Sequence, residues 1–545
     1  MRANTILRNG RIVAFDPELP TATTIAIAGG RIVAVGDDQI VSEMGGPDTV
    51  TVDLEGRSVT PGLIDAHVHP AFGVERTIGA DLAGVTRPDD LLSRLRAEAD
   101  ATPPGAWVRA FNLSYAVFAS MPMRADAIDS AVNGRPAAVF LFDGHTMLVS
   151  HAALAEAGIS GAQSFPDTSE IVVDDSGCAT GQLREESAIA LILNAAPRPS
   201  EREIRNQVSE VYRKMAAVGL TGLCVMDGDR TSFDRLDAMD RQGTLPLRIV
   251  TALDHAPGQR NRLPERMAMR DECGARWRGG VIKLYADGVI DTGTGWLYEP
   301  DTFGDGGYGL WNDPAEFREV VRDYAAAGFQ LAVHAIGDRA IGETIDAFLA
   351  TGVRSVRGAP HRLEHLESLS DNDLRRIGDA GITASMQPAH LQWSKPDNSD
   401  AWGLRLGHKR ASRGWRAGDV SRAGIPLALG SDWPVAQFDP RIVMAWARLR
   451  RTPGDRNAPV IVGDQRLSAL TALKAYTRGA ALAQGDDDLG EIAVGYRADL
   501  AIWDKNPVEV DADDLVDVGI HATLIDGITT GPAVDAEIDR TRRLP

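Results

Sequence analysis

Residues 59–69 read VTPGLIDAHVH, an apolar run that closes on two histidines separated by one residue. A short apolar run ending in polar residues reads as a buried strand. Alternate residues of an extended segment point the same way, so the imidazoles of His67 and His69 can face one ion. Working outward from this strand (59–67), seven more runs of similar texture follow at 222–226, 247–253, 280–285, 330–334, 361–365, 383–387 and 426–430. Segments with apolar residues at helical spacing alternate with them, at 201–218, 314–327, 341–350, 370–380 and 468–483. Eight strands alternating with helices predict an α/β fold, a (β/α)8 TIM barrel over 58–485. The gap at about 74–200 is too long for one crossover and predicts an inserted α/β subdomain, with strand signals at 137–142 and 171–174.

The ends of the chain have a different texture. Short strands at 5–8, 11–15, 24–28, 31–36 and 50–53 are separated by glycine turns such as Asn9-Gly10 and Gly29-Gly30, and similar strands recur at 498–504 and 519–526. Either set alone would be a marginal sheet, so residues 1–57 and 486–545 are expected to pair into one small β-sandwich. The chain has 545 residues, with 57 Lys+Arg against 76 Asp+Glu and a net charge of −19. That acidic excess, without any basic cluster, argues against a nucleic-acid partner. No stretch approaches the ~20 apolar residues of a membrane helix, and the N-terminus alternates in hydropathy where a signal peptide would be uniformly apolar. Cys178, Cys224 and Cys273 lie far apart and fit a reducing cytoplasm better than a disulfide framework.

The chemistry-bearing residues fall at the carboxyl ends of the expected strands, where barrel enzymes build their sites. His67 and His69 end the first strand. Lys283 lies in the fourth, VIKLYADG, an apolar context unusual for a lysine. His334 closes the fifth (LAVHAIGD), His365 the sixth (HRLEHLE), and Asp432 the eighth (LALGSDWP). Taken singly, each has a plainer reading: a hydrogen-bonded core histidine, a structural ion-pair lysine, a turn-capping aspartate. Jointly they read as a metal site. His255 and His390, after the third and seventh strands, could reach the mouth of the barrel, but each reads better as a structural histidine. Trp296, Trp393 and Trp433 in post-strand loops either form an apolar substrate wall or pack beneath those loops.

These motifs, with the segments DGH (143–145), GQLREE (181–186) and GYRADLAIWD (495–504), resemble the amidohydrolase superfamily, specifically its amidohydrolase 3 or YtcJ-like group of metal-dependent hydrolases. The resemblance covers almost the whole chain. It implies that His67 and His69 hold the more buried metal, His334 and His365 a second, and that Asp432 is the catalytic carboxylate and also a metal ligand. It further implies that Lys283 bridges after carboxylation, that Glu185 is an alternative carboxylate ligand, and that both ends form the small β-sandwich. It makes a homodimer or larger homo-oligomer reasonable. Carbon dioxide added to a neutral lysine amine gives an anionic carbamate, whereas an ammonium cannot ligate a cation. His145 is provisionally assigned to a substrate carbonyl or other polar group, against the plainer reading of a satisfied surface histidine. The segment after the fourth strand departs from the family pattern at Val289-Ile290-Asp291.

The expected activity is therefore hydrolysis of a C–N bond in a small nonpeptide molecule: an amide, an N-acyl or N-formyl amine, or a carbamate-like compound. One or two divalent ions, zinc best matching the ligand types, would activate a water. A heterocycle deaminase is an alternative, but its usual acid three residues after the strand-five histidine is absent here, where Ala335-Ile336-Gly337 follows. A catalytically silent barrel acting as a binding protein is a third reading, opposed by the complete ligand set.

Overall fold

A computed structural model describes residues 2–16, 22–142, 144–165, 167, 169–197 and 200–530. Asp143 of the DGH segment, and 531–545 of the expected sandwich, lie outside the described residues. The central feature is an eight-stranded parallel sheet. Its strands are β1 (Leu63–Val68), β2 (Leu220–Gly228), β3 (Arg248–Asp254), β4 (Trp277–Tyr285), β5 (Gln330–Ala335), β6 (Arg362–His365), β7 (Thr383–Met386) and β8 (Leu427–Leu429), each bonded to the next in chain order. Past β8, the amide of Asp432 donates to the carbonyl of His67 at 2.8 Å, and that of Ser431 to Asp65 Oδ1 at 3.0 Å. The last strand thus returns beside the first and the sheet curls into a barrel.

Parallel strands covered on both faces should be continuously apolar, and β1, β5, β6, β7 and β8 are buried at every position. Inside the barrel Cys224, Met226, Val250, Ala252, Val281 and Ala332 pack into their own cluster. Outside, helices cover the wall. The helix Glu201–Ala217 starts at a capping box between Ser200 and Glu203 and buries Ile204, Val208, Tyr212 and Met215 along one stripe.

Two elements differ from expectation. The run 59–67 is not one strand: Ser58–Pro61 pairs antiparallel with Leu500–Trp503 in a terminal sheet, and the barrel strand begins only after Gly62. A side chain at Gly62 would overlap Thr221, so glycine marks the passage from sheet to barrel. The segment 468–483 is two helices, Ala469–Ala475 and Arg478–Ala483. The break frees the carbonyl of Tyr476 to accept from the amide of Ile64 at 2.6 Å, anchoring β1.

At the ends of the chain a four-stranded sheet (Thr5–Arg8, Thr24–Ala28, Arg31–Gly36, Val50–Asp53) faces a five-stranded one (Arg11–Ile12, Ser58–Pro61, Leu500–Trp503, Ile520–Ile525, Ile528–Thr529). Leu7, Ile25, Ile27, Leu500, Ile502 and Leu524 share one core, so both ends contribute to it. Arg248 at the start of β3 ties this unit to the barrel through Asp499 at 2.6 Å. Between β1 and β2, the strands Ala80–Asp81, Val108–Leu113, Ala137–Leu141, Thr146–Val149, Glu170–Val173 and Ala179–Arg184 form a separate mixed sheet. All three cysteines are free thiols, and among the described residues no helix is long and apolar enough to cross a membrane.

Barrel closure makes a test at Gly430. A methyl group there would sit 2.6 Å from the backbone nitrogen of His67 and 2.9 Å from Asp65 Oδ1. Gly430→Ala is expected to destabilise the protein by about 1–3 kcal/mol through overpacking, measured by denaturant unfolding.

Candidate metal centre and substrate cavity

The carboxyl end of the barrel opens into a cavity of about 390 Å³, lined by His69, Lys283, His334, His365 and Asp432 together with His145 and Glu185 from the insertion. Closure of β8 against β1 brings Asp432 onto the histidine pair. Its Oδ1 lies 3.3 Å from His67 Nε2 and 3.1 Å from His69 Nε2, and the two Nε2 atoms are 3.1 Å apart. Its Oδ2 lies 3.8 Å from His365 Nδ1. Ligand atoms of His67, His365 and Asp432 all fall within 4.8 Å of one another. The His334 ring stacks edge-on with that of His365, centroids 4.4 Å apart, and its Nε2 is 3.0 Å from the carbonyl of Gly288, to which it can donate.

Lys283 is fully buried with its Nζ 3.4 Å from His67 Nε2 and 5.0 Å from the Tyr285 ring centroid. Burial, then the nearby Arg362 guanidinium, push it down to about 8, with Glu364 and Asp432 opposing. Burial likewise pushes His69 down to about 3 and holds His334 and His365 well below the ordinary histidine value. Neutral imidazoles are what ligation requires. His365 Nδ1 and His390 Nε2 are buried without closing a hydrogen bond. Unsatisfied imidazole nitrogens converging on a carboxylate fit a divalent ion of the zinc type.

Behind the cluster sits a charged network that sequence reading missed. His67 Nδ1 lies 2.7 Å from Glu364 Oε2, and Glu364 is gripped by Arg362, whose Nε donates to Oε1 at 2.8 Å. Arg362 also donates to the carbonyl of Ala66 at 2.6 Å and to Ser385 Oγ at 3.0 Å. All of these side chains are buried. Although burial would raise it, Arg362 and His67 hold the Glu364 carboxyl well below the usual carboxylate range. A carboxylate on Nδ1 fixes the proton there and leaves the Nε2 lone pair toward the site. The signal was present in HRLEHLE: Arg362 and Glu364 are two apart on a strand and so share a face.

The backbone is strained at three of these positions. Glu185, His365 and Asp432 adopt φ of 63°, 74° and 59°, left-handed values that non-glycine residues rarely take. Such strain persists where surrounding structure over-determines it, and it clusters at functional sites.

The other expected site residues divide. His145, from the insertion, reaches the cavity, its ring 5.8 Å from that of His334. Glu185 does not join the ligand cluster: Oε2 lies 2.8 Å from His145 Nδ1, and Oε1 accepts from Thr294 Oγ1 at 3.0 Å. The divergent segment after β4 delivers that threonine, and Val289 and Asp291 line the cavity. For Trp296 and Trp433 the substrate-wall alternative is corrected in favour of packing beneath the loops. Trp296 is buried beneath the Arg339 guanidinium at 4.9 Å, Trp433 packs against Phe438, and neither lines the cavity. Trp393, Trp402 and Trp415 line it, and Phe142 of the insertion stacks on Trp393 with centroids 4.2 Å apart. His390, read from sequence as structural, lines the cavity with Nε2 3.4 Å from Asp432 Oδ2. His255 matches that structural reading, with Nδ1 2.7 Å from the Tyr324 hydroxyl.

Known proteins resemble this chain over almost all of its length. The chain is 29% identical to the Arabidopsis thaliana protein LONG AFTER FAR-RED 3, over 96% of this chain and 91% of that protein. It is 27% identical to an N-substituted formamide deformylase of Arthrobacter pascens, over 95% and 97%. Among solved structures, a metal-dependent hydrolase from Pyrococcus furiosus superposes with a TM-score of 0.70 at 24% identity, covering 93% of this chain and all of that one, and so shares the fold. Residues 50–530 match the model of one family, and the chain belongs to it: the amidohydrolase family.

Proposed function

We propose that the chain hydrolyses a C–N bond in a small nonpeptide amide, N-acyl or N-formyl amine, or carbamate-like compound. The observation that carries this reading is the convergence of His67, His69 and His365 on the carboxylate of Asp432, which lines the cavity. These residues, with His334, would hold one or two divalent ions, zinc best matching the histidine and carboxylate donors. Such an ion, when bound, lowers the pKa of water and polarises a carbonyl. Lys283 is fully buried with no carboxylate oxygen within 4.0 Å among the described residues, which supports its conversion to a carbamate that would join the histidines and Asp432 in holding the metal.

The two oxygens of Asp432 have separable work. Oδ1 faces the two histidines of β1, while Oδ2 is turned to the His365 and His390 side. Asp432 Oδ2 takes a proton from the attacking water and later delivers it to the amine as the C–N bond breaks. The water's oxygen and its second hydrogen stay with the acyl carbon, giving an amine and a carboxylic acid that ionises to solvent. His145, oriented by Glu185, holds a polar group of the substrate, and Trp393 with Phe142 covers its apolar part. The free thiols support a cytoplasmic location.

A chelation series tests this reading. Protein stripped of metal is expected to lose amide hydrolysis and to regain it in proportion to added zinc, followed by amine release from a panel of N-formyl and N-acyl amines. Full turnover by metal-free protein would overturn it.

A further inference from the structure

The cavity wall carries several cations, and most are accounted for. Arg76 pairs with Glu186 at 2.6 Å and donates to the carbonyl of Gly144; Arg230 pairs with Glu272 at 2.6 Å; Arg262 pairs with Glu265 at 3.3 Å. Arg266 is different. It lies in the helix Leu263–Ala268 after β3, is 4% exposed, and has no carboxylate oxygen within 4.0 Å among the described residues. Its Nη2 donates to Gln259 Oε1 at 2.7 Å, Nη1 lies 3.4 Å from His255 Nδ1, and the guanidinium also contacts the Tyr324 hydroxyl.

The two most deeply buried arginines elsewhere are both satisfied. Arg362 meets Glu364. Arg450 donates to the carbonyls of Ile461, Trp415 and Gly414. Among the described residues Arg266 has neither a carboxylate oxygen within 4.0 Å nor a backbone carbonyl; Asp254 and Glu265 act on it only from farther away, and a buried guanidinium without a direct counter-ion is costly. A guanidinium presents five donors in a planar fork that suits a carboxylate. Resting on the amide-hydrolase reading above, we propose that Arg266 receives a carboxylate carried by the substrate, making the substrate class anionic amides.

One negative charge fits better than two. Asp227, Asp229, Asp254 and Glu265 line the same cavity, so a dianion such as a phosphate ester would meet like charges that a single arginine cannot offset. Arg266 sits beyond β3 while Asp432 and His390 sit beyond β8 and β7, all on the wall of one cavity. A small amide placed with its carbonyl at Asp432 can therefore extend its charged end toward β3 and its apolar end under Phe142 and Trp393.

The test compares N-benzoylglycine with its uncharged isostere N-benzoylglycinamide, in the metal-loaded wild type and in Arg266→Gln and Arg266→Lys. The wild type is expected to favour the carboxylate in kcat/KM by about 100-fold, the scale for meeting a buried charge that is otherwise unpaired. In Arg266→Gln that ratio collapses toward one at unchanged metal content and in protein that still unfolds cooperatively, while Arg266→Lys keeps part of it. Equal use of both compounds by the wild type, or an unchanged ratio in Arg266→Gln, would overturn the proposal while leaving amide hydrolysis standing. If neither compound is cleaved, equilibrium binding of N-benzoylglycine decides: tighter binding to wild type than to Arg266→Gln at equal metal content supports the arginine even as the hydrolase reading fails, and equal binding refutes it.

Discussion

Asp432→Asn is expected to lower kcat/KM for amide hydrolysis by about 1,000-fold, the middle of the range for removing a positioned acid or base. Asparagine keeps the size of the side chain and one oxygen toward His67 and His69, which Oδ1 approaches at 3.3 and 3.1 Å. It removes the charge and the oxygen that accepts and returns the proton. The loss should fall on kcat, because the residue acts in bond making and breaking and not in uniform binding. Metal content must be measured in the same preparations. Loss of the ion would place the residue's main contribution in ligation, and unchanged turnover with full metal would remove Asp432 from the chemistry.

Glu364→Gln is expected to destabilise the protein by about 3–5 kcal/mol, because it leaves Arg362 charged and fully buried without its partner. The same change weakens the hold on His67 Nδ1, now 2.7 Å from the carboxylate, and should cost about 10- to 100-fold in metal affinity. The two effects separate in the double variant Arg362→Met with Glu364→Leu. Removing both charges should restore much of the stability, whereas metal affinity should stay low because His67 still lacks its acceptor. Denaturant unfolding and metal titration of the three proteins measure both. A double variant that binds metal as tightly as the wild type would show that Glu364 serves the fold and not the site.

The barrel was legible because its strands are buried on both faces and therefore write themselves as apolar runs, each closed by a polar residue at the open end. His67, His69, Lys283, His334, His365 and Asp432 could be found for that reason: position at a strand terminus is nearly position in space. The first strand differs in extent because 59–67 is continuous in hydropathy, and the break at Gly62, where a side chain would overlap Thr221, leaves no mark in that pattern. Residues on loops were harder. Trp296, Trp393 and Trp433 all follow strands, yet only Trp393 faces the cavity, and nothing periodic in a loop says which side a ring takes. His390 belongs to a 3-10 turn, Pro388–Trp393, whose direction the sequence pattern does not specify. Arg266 stands out only once it is seen to be buried with no carboxylate oxygen within 4.0 Å among the described residues.

The central claim is that the cluster at the barrel's open end holds a divalent ion that the chemistry uses. X-ray data from crystals of the purified protein, collected on both sides of the zinc absorption edge, test it most directly. The expected result is an anomalous peak enclosed by His67, His69, His365 and Asp432, present above the edge and lost below it. Well-ordered density for those four side chains with no metal peak between them, in protein that still hydrolyses an amide, would contradict it.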